Sequence, residues 1–402
     1  LDADTRLPIG VVTQLVGTAA HPLNRPVFDP IAGRVVAGYG ILQPRVTPTL
    51  PLRRECSLFH RLFSGASGTD AYSSQVSEVY QDLFAQGTYS GKGLYEVDIF
   101  EAALAGRVPD NTQLSHDLFE SEFARCGLVT DIEFFEEFPH HTAVVDSRAH
   151  RWTRGDWQLL PWILGLRREG PGRNLTFLGR WKMLDNLRRS LSAPGAFCTL
   201  VAAWAIPGAP QGLLVGFVLV ALGMPAWMAL GNGLAFPGGG APFTTHLRET
   251  GRNVLMGLGH ALVALTLLAH QAWLMVDAIG TTLGRLLLTR RHLLKWVTAL
   301  QAKTASGRAL KTLIRPLASA TGVVLAAAVV VLIGNPASLP SAAPFLLLWW
   351  LAPLASRALS QTPRRPACEV LTPVETDQLR EIGRRTWRFF TTFVTARDHY
   401  LP

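Results

Sequence analysis

The chain has 402 residues, 48% of them hydrophobic and 17% charged, with a formal net charge of +9. It is long enough for two or more domains and more apolar than a typical soluble enzyme, so part of it is expected in lipid. Its cations cluster beside apolar runs (Arg188 and Arg189; Arg285, Arg290, Arg291 and Lys295; Arg357, Arg364 and Arg365), which fits anionic headgroups and argues against nucleic acid.

Cys56, Cys126, Cys198 and Cys368 form no CxxC pair, which argues against a disulfide framework or zinc site and for reduced, buried thiols. The acidic, polar start is no signal peptide, and a start on a motif without methionine leads us to expect further sequence upstream.

The opening LDADTRLPIG reads as a strand end meeting a turn at Pro8 and Gly10. Asp2 and Asp4 form a D-x-D pair, a pattern that can hold Mg2+ or Mn2+ against diphosphate oxygens, although any acidic turn can show it. Residues 35–46, VVAGYGILQPRV, have the β-branched and aromatic content of a strand ending near Pro44. Helical patterns at 70–85, 98–105 and 116–126 complete an α/β reading. Between them GTYSGKG, residues 87–93, is a loop in which Lys92 lacks the spacing of a P-loop, and Tyr89 and Tyr95 are packing residues.

Asp117, in SHDLFE, opens a helical pattern, where it either complements the dipole or takes a proton from an acceptor hydroxyl. His140 and His141 follow Phe-Pro and read as solvent-facing before they read as metal ligands. In HRWTRGDWQLLPW, residues 150–162, Arg151 and Arg154 suit phosphate, and Trp152 or Trp157 suits stacking on a sugar ring. The same composition fits an interfacial helix with snorkelling arginines.

Candidate membrane spans are 196–207, 213–230, 317–333 and 344–356, each near or below the roughly 20 residues that a spanning helix needs. The stretch 254–276 is apolar but carries His260, His270 and Gln271, and Asp277 follows it. Placing every basic segment on the cytoplasmic side gives two helical hairpins, with 254–315 lying mostly at the interface and GNPASLPSAA, residues 334–343, outside; a five-span alternative would put one basic segment outside. Trp349 and Trp350 suit either a membrane interface or packing between helices.

Taken in order, DADTRLP, GYGILQPRV, YSGKGLYEVDIFEAAL, NTQLSHDLFE and HRWTRGDWQ resemble the glycosyltransferase portion of the cyclic β-1,2-glucan synthases, large multi-pass enzymes of the bacterial inner membrane. The order is also similar to that of the cellulose-synthase-like enzymes, with their D-x-D, T-E-D and Q-x-x-R-W motifs. The resemblance runs from Asp2 to the chain end.

It implies a partial α/β GT-A-like glycosyltransferase domain over 1–190 and an α-helical transmembrane region over 191–360, with interfacial helices at about 254–315. Residues 361–402 would be a linker and the start of a carbohydrate-processing region. Asp2 and Asp4 would hold the divalent cation and the diphosphate of UDP-glucose, and Asp117 would be the general base. Arg151 and Trp152 match the R-W pair near diphosphate and acceptor, with Arg154 alongside.

Arg148 stands where that motif has glutamine, and Ser115-His116-Asp117 replaces T-E-D, so the helper roles of these neighbours stay open. The implied partners are UDP-glucose, a glucan acceptor chain and membrane lipids, with the catalytic domain cytoplasmic. Nucleotide-binding strands before the D-x-D are not included, so this segment alone is not expected to catalyse. A cellulose- or hyaluronan-type synthase fits SHDLFE and RGDWQ less well. A non-catalytic scaffold or transporter is disfavoured by spans that hold no Asp, Glu, Lys, Arg or His.

Overall fold

The computed structural model describes residues 5–49, 56–64, 78–109, 111–114, 116–139, 141–166, 175–234, 243–294, 310–361 and 371–395, without side chains for 310–320. The chain divides into two units, Leu1–Pro51 with Cys56–Gln361, and Leu52–Glu55 with Thr362–Pro402.

The first unit begins with β1 (Thr5–Arg6), α1 (Val11–Ala20), β2 (Val27–Asp29), β3 (Arg34–Ala37) and β4 (Ile41–Pro48). The strand expected at 35–46 is therefore two, and its glycines explain the break. At Gly38, with φ of 64°, a Cβ would lie 1.9 Å from the Arg25 carbonyl oxygen. At Gly40 a Cβ would lie 2.5 Å from the Ala124 oxygen. The chain turns where only glycine fits.

β4 then runs through Pro44. Its register with β6 jumps between Pro44 and Arg45, at an irregularity that suits a residue lacking an N–H.

Next come α2 (Leu58–Phe63), α3 (Val79–Phe84), β5 (Leu94–Tyr95), α4 (Val97–Leu104), α5 (Asp117–Ala124) and β6 (Cys126–Glu136). The helical patterns read at 98–105 and 116–126 correspond to α4 and α5; residues 70–77 lie outside the described set. The sheet has the order β1-β6-β4-β5, with β4 and β6 parallel and the other pairs antiparallel, and β2 and β3 form a separate antiparallel pair.

On one side, Val11 and Leu15 of α1 pack with Leu42, Val46, Val129, Ile132 and Phe134 of the sheet. A second core joins Ile41 and Cys126 to Phe119 and Phe123 of α5, and to the helices α6 (Thr142–Gln158), α7 (Leu160–Ile163) and α8 (Phe177–Ala205). Burial pushes the Cys126 thiol up to about 12 and keeps it protonated. Cys56 is buried as expected; Cys198 is exposed, a departure from the buried-thiol reading, and Cys368 lies outside the described residues.

The boundary expected between residues 190 and 191 falls inside α8, a single helix of 29 residues. Beyond it run α9 (Gln211–Leu222), α10 (Met224–Leu234), α11 (Phe243–Thr266), α12 (Leu268–Leu283) with a π-helical turn at Gly284–Thr289, α13 (Leu310–Gly334), α14 (Leu339–Trp350) and α15 (Ala352–Ser360). Leu200 and Trp204 of α8 pack with Val218, Leu268, Ala269, Val324, Val331 and Trp349. Trp349 is thus a packing residue, its indole N–H donating to the Leu265 carbonyl at 3.0 Å, while Trp350 is exposed.

Among the described residues no single helix is long and apolar enough to cross a membrane. Three bent pairs reach that length and composition together: Gln211–Leu222 with Met224–Leu234 (66°), Phe243–Thr266 with Leu268–Thr289 (60°), and Pro336–Trp350 with Ala352–Ser360 (42°). Pro225 and Pro353 stand in the first turn after two of these bends, where proline is tolerated but cannot continue the preceding helix. The candidate spans 213–230 and 344–356 straddle those two bends. Candidate 196–207 starts in the apolar end of α8, and the apolar part of α13 is Thr321–Gly334.

In the second unit, α16 (Pro373–Phe393) opens with a capping box in which Thr372 and Glu375 satisfy each other's backbone N–H groups.

Gly38→Ala is expected to destabilise the protein by at least about 2 kcal/mol, because it combines a positive φ with a backbone overlap. A thermal unfolding midpoint close to wild type would contradict this.

Candidate active site

Asp117 is the first residue of α5 and is half-buried, so its carboxylate meets the positive end of the helix. The loop 87–93 crosses it. Gly91 has φ of 86°, and a Cβ there would stand 3.1 Å from Cγ and from both carboxylate oxygens of Asp117. Backbone therefore covers the carboxylate, at a position that excludes side chains.

The loop is held from both ends. Gln43, fully buried on β4, accepts from the Ser90 N–H (2.5 Å) and hydroxyl (3.0 Å) and donates to the Thr88 carbonyl (3.0 Å). Lys182 of α8 is buried and donates to the Gln86 and Gly87 carbonyls at 3.0 and 3.3 Å. Tyr89 is buried as expected; burial and the charges of Asp117 and Glu120 raise its pKa, so it remains a neutral hydroxyl.

Lys92 is a structural cation here, pairing with Glu136 at 2.6 Å with both side chains largely buried. Glu136 stands opposite Thr5 in the β1–β6 pairing. Thr5, Glu136, Lys92, Gly91 and Asp117 thus form a continuous run from the residue after Asp4 to the helix start. Asp2 and Asp4 themselves lie outside the described residues, as does Ser115.

Glu122, five residues beyond Asp117, anchors α5. It is buried and accepts from Arg34 (3.0 Å), the Thr176 N–H (3.1 Å) and hydroxyl, and Gln86 (3.3 Å).

Arg151, Trp152 and Arg154 lie on α6. Arg151 is half-buried and Trp152 is 38% exposed. Arg154 is buried and faces away from Trp152: its guanidinium donates to the Leu293 carbonyl at 3.0 Å, as does Gln158 one turn later at 3.1 Å. Burial, and then the charge of Arg285, lowers its pKa. Gln158 also accepts from the Leu114 N–H at 2.8 Å, tying the segment before Asp117 to α6.

The opposite face of α6 carries Trp152 and, one turn on, Asp156. Asn186 of α8 donates to Asp156 Oδ1 at 3.2 Å. Burial, with the charge of Asp117 adding, pushes the Asp156 carboxyl up to about 6. The sequence gives Asp156 no role, because its partner on α8 lies 30 positions away.

Polar bonds clamp α6 to the helical layer. Asp146 pairs with His270 (2.9 Å) and accepts from Gln271 (2.8 Å), His150 pairs with Asp277 (3.0 Å), and the Thr142 N–H donates to the Ser360 hydroxyl (3.1 Å). His270, Gln271 and Asp277, which interrupt or follow the apolar stretch 254–276, are thereby partnered.

Among the described residues, His116, Asp117 and Glu120 bring candidate ligand atoms within 4.8 Å of one another. His116 Nδ1 is bonded to Glu120 at 2.5 Å, and that bond raises its pKa. His141 is half-buried just ahead of α6, and His140 lies outside the described residues.

The structure places Asp117 at a helix start under a glycine loop and the Arg151-Trp152 pair on α6. No family model matches the chain. Over 403 residues it is 40% identical to the cyclic beta-(1,2)-glucan synthase NdvB of Rhizobium meliloti (strain 1021), and the match covers all of this chain and 14% of that protein. The resemblance to the cyclic β-1,2-glucan synthases therefore holds along the whole chain, which corresponds to a segment of such a protein.

Gly91→Ala is expected to displace the loop from Asp117 and to destabilise the protein by about 1 kcal/mol or more, because it combines a positive φ with a 3.1 Å approach to the carboxylate. Denaturant unfolding of the variant beside the wild type checks it.

Proposed function

We propose that the chain is the catalytic and membrane-proximal segment of an inverting glucosyltransferase that adds glucose from UDP-glucose to a growing β-1,2-glucan at the bacterial inner membrane, with its catalytic part cytoplasmic. The observation that carries this reading is the run of contacts from Asp117 through Gly91, Lys92 and Glu136 to Thr5, the residue following the D-x-D pair.

Asp117 takes the proton from an acceptor hydroxyl, whose oxygen attacks the anomeric carbon while the bond to the diphosphate oxygen breaks and UDP leaves with that electron pair. One displacement converts an α-linked donor into a β-linked product, which requires one base on the acceptor side. Asp2 and Asp4 would hold a divalent cation, which when bound would supply charge neutralisation to the diphosphate. Trp152, 38% exposed on the R-W helix, offers an apolar ring for a sugar face, and Arg151 offers a cation beside it.

A mixed sheet with helices packed on it supports a partial GT-A-like domain. Three bent apolar pairs, with arginines nearby, support membrane embedding.

Full-length synthase carrying Asp117→Asn is expected to lose about 10²- to 10⁴-fold in glucose incorporation while still binding UDP with a divalent cation. Asp2→Ala or Asp4→Ala is expected to lose that cation-dependent binding. Incorporation by Asp117→Asn at the wild-type rate would overturn the assignment of the base.

A further inference from the structure

An acceptor sugar presents several hydroxyls of similar acidity, so one base does not by itself decide which oxygen attacks. A second, oriented hydrogen-bond acceptor facing the neighbouring hydroxyl does, because only one placement of the sugar then satisfies both groups. Asp156 has the attributes of that acceptor. It shares a helix face with Trp152 and lies close enough to Asp117 to feel its charge.

Its orientation is set by a relay. Arg189 donates to Asn186 Oδ1, which fixes the amide so that Nδ2 points at Asp156 Oδ1, 3.2 Å away. Oδ2 accepts no hydrogen bond from any described residue, although the carboxyl is surrounded by protein on most sides. A desolvated carboxylate with one oxygen tethered and the other uncommitted is matched by a hydroxyl donor.

We propose that Asp156 is a specificity-determining acceptor contact: its Oδ2 accepts a hydrogen bond from the sugar hydroxyl adjacent to the one that Asp117 deprotonates, and so selects the oxygen that attacks. This rests on the reading of Asp117 as the base. The charged groups facing Asp156 are Asp117 from α5 and Arg189 from α8.

The test uses full-length synthase with UDP-glucose, measuring UDP released, glucose incorporated and the linkages of the product. With Asp156→Asn, the ratio of UDP released to glucose incorporated is expected to rise at least about tenfold, the size of one hydrogen bond to a charged group, and linkages other than 1,2 are expected in the residual product. Asp156→Glu recovers part of the coupling. Asn186→Ala, which frees the carboxylate without removing it, raises the ratio several-fold and serves if Asp156→Asn does not fold.

In the wild type, coupling falls as pH drops through about 6, where Asp156 gains a proton; in Asp156→Asn that step is absent. Wild-type coupling and only 1,2-linkages in both Asp156→Asn and Asn186→Ala would overturn the proposal. An active Asp117→Asn would instead overturn the underlying assignment of the base, which keeps the two failures distinct.

Discussion

The parallel pairing of β4 with β6 is the constraint on which the site depends. Ile41 faces Cys126 at the start of this ladder, and the Gly40 N–H donates to the Ala124 carbonyl at 2.9 Å, so the end of α5 is bonded to the strand edge. Because α5 is only two turns long, fixing its C-terminus also fixes Asp117 at its N-terminus. From the same strand, Gln43 reaches out to hold the loop that crosses the aspartate. At the far end of β6, Glu136 receives both Lys92 and β1. One ladder therefore sets Asp117, its glycine cover and the strand that begins at Thr5.

The helices beyond the sheet continue that logic. α6 is tied to α12 by Asp146, His270, Gln271, His150 and Asp277, and to α15 by Thr142. The Asp146–His270 pair and the Thr142–Ser360 bond are largely buried and costly to leave unmade, so they specify one seating of the R-W helix. α12 meets α6 with one face and contributes Leu268 and Ala269 to the apolar cluster with another. A helix that is polar on one side for this reason does not show the uninterrupted apolar run of a membrane span.

Much of the site was legible where local chemistry is decisive. Asp117 at the head of a helical pattern and the glycine-rich loop before it are short-range signals, and both fall where the pattern put them. β6 was not legible: Asp131, Glu133 and Glu136 interrupt its apolar residues, and only the finished sheet reveals that Glu133 is bonded to Thr47 and Glu136 to Lys92. The break between β3 and β4 was missed because it depends on the carbonyls of Arg25 and Ala124, neither of which is a sequence neighbour. Arg154 read as a phosphate ligand because its inward face is set by Leu293, 139 positions away. Local propensity identifies elements; long-range contacts decide their edges and the use of each charge.

α8 serves both layers with one backbone. Its first half presents Lys182 to the loop, Asn186 to Asp156 and Ser190 to the Trp157 indole, and its second half carries Leu200 and Trp204 into the apolar cluster. Between them stands Pro194, which leaves the Ser190 carbonyl without its usual helical donor. Along a rod about 43 Å long, the backbone bond lost to the proline falls between the residues that serve the loop and those that serve the apolar cluster.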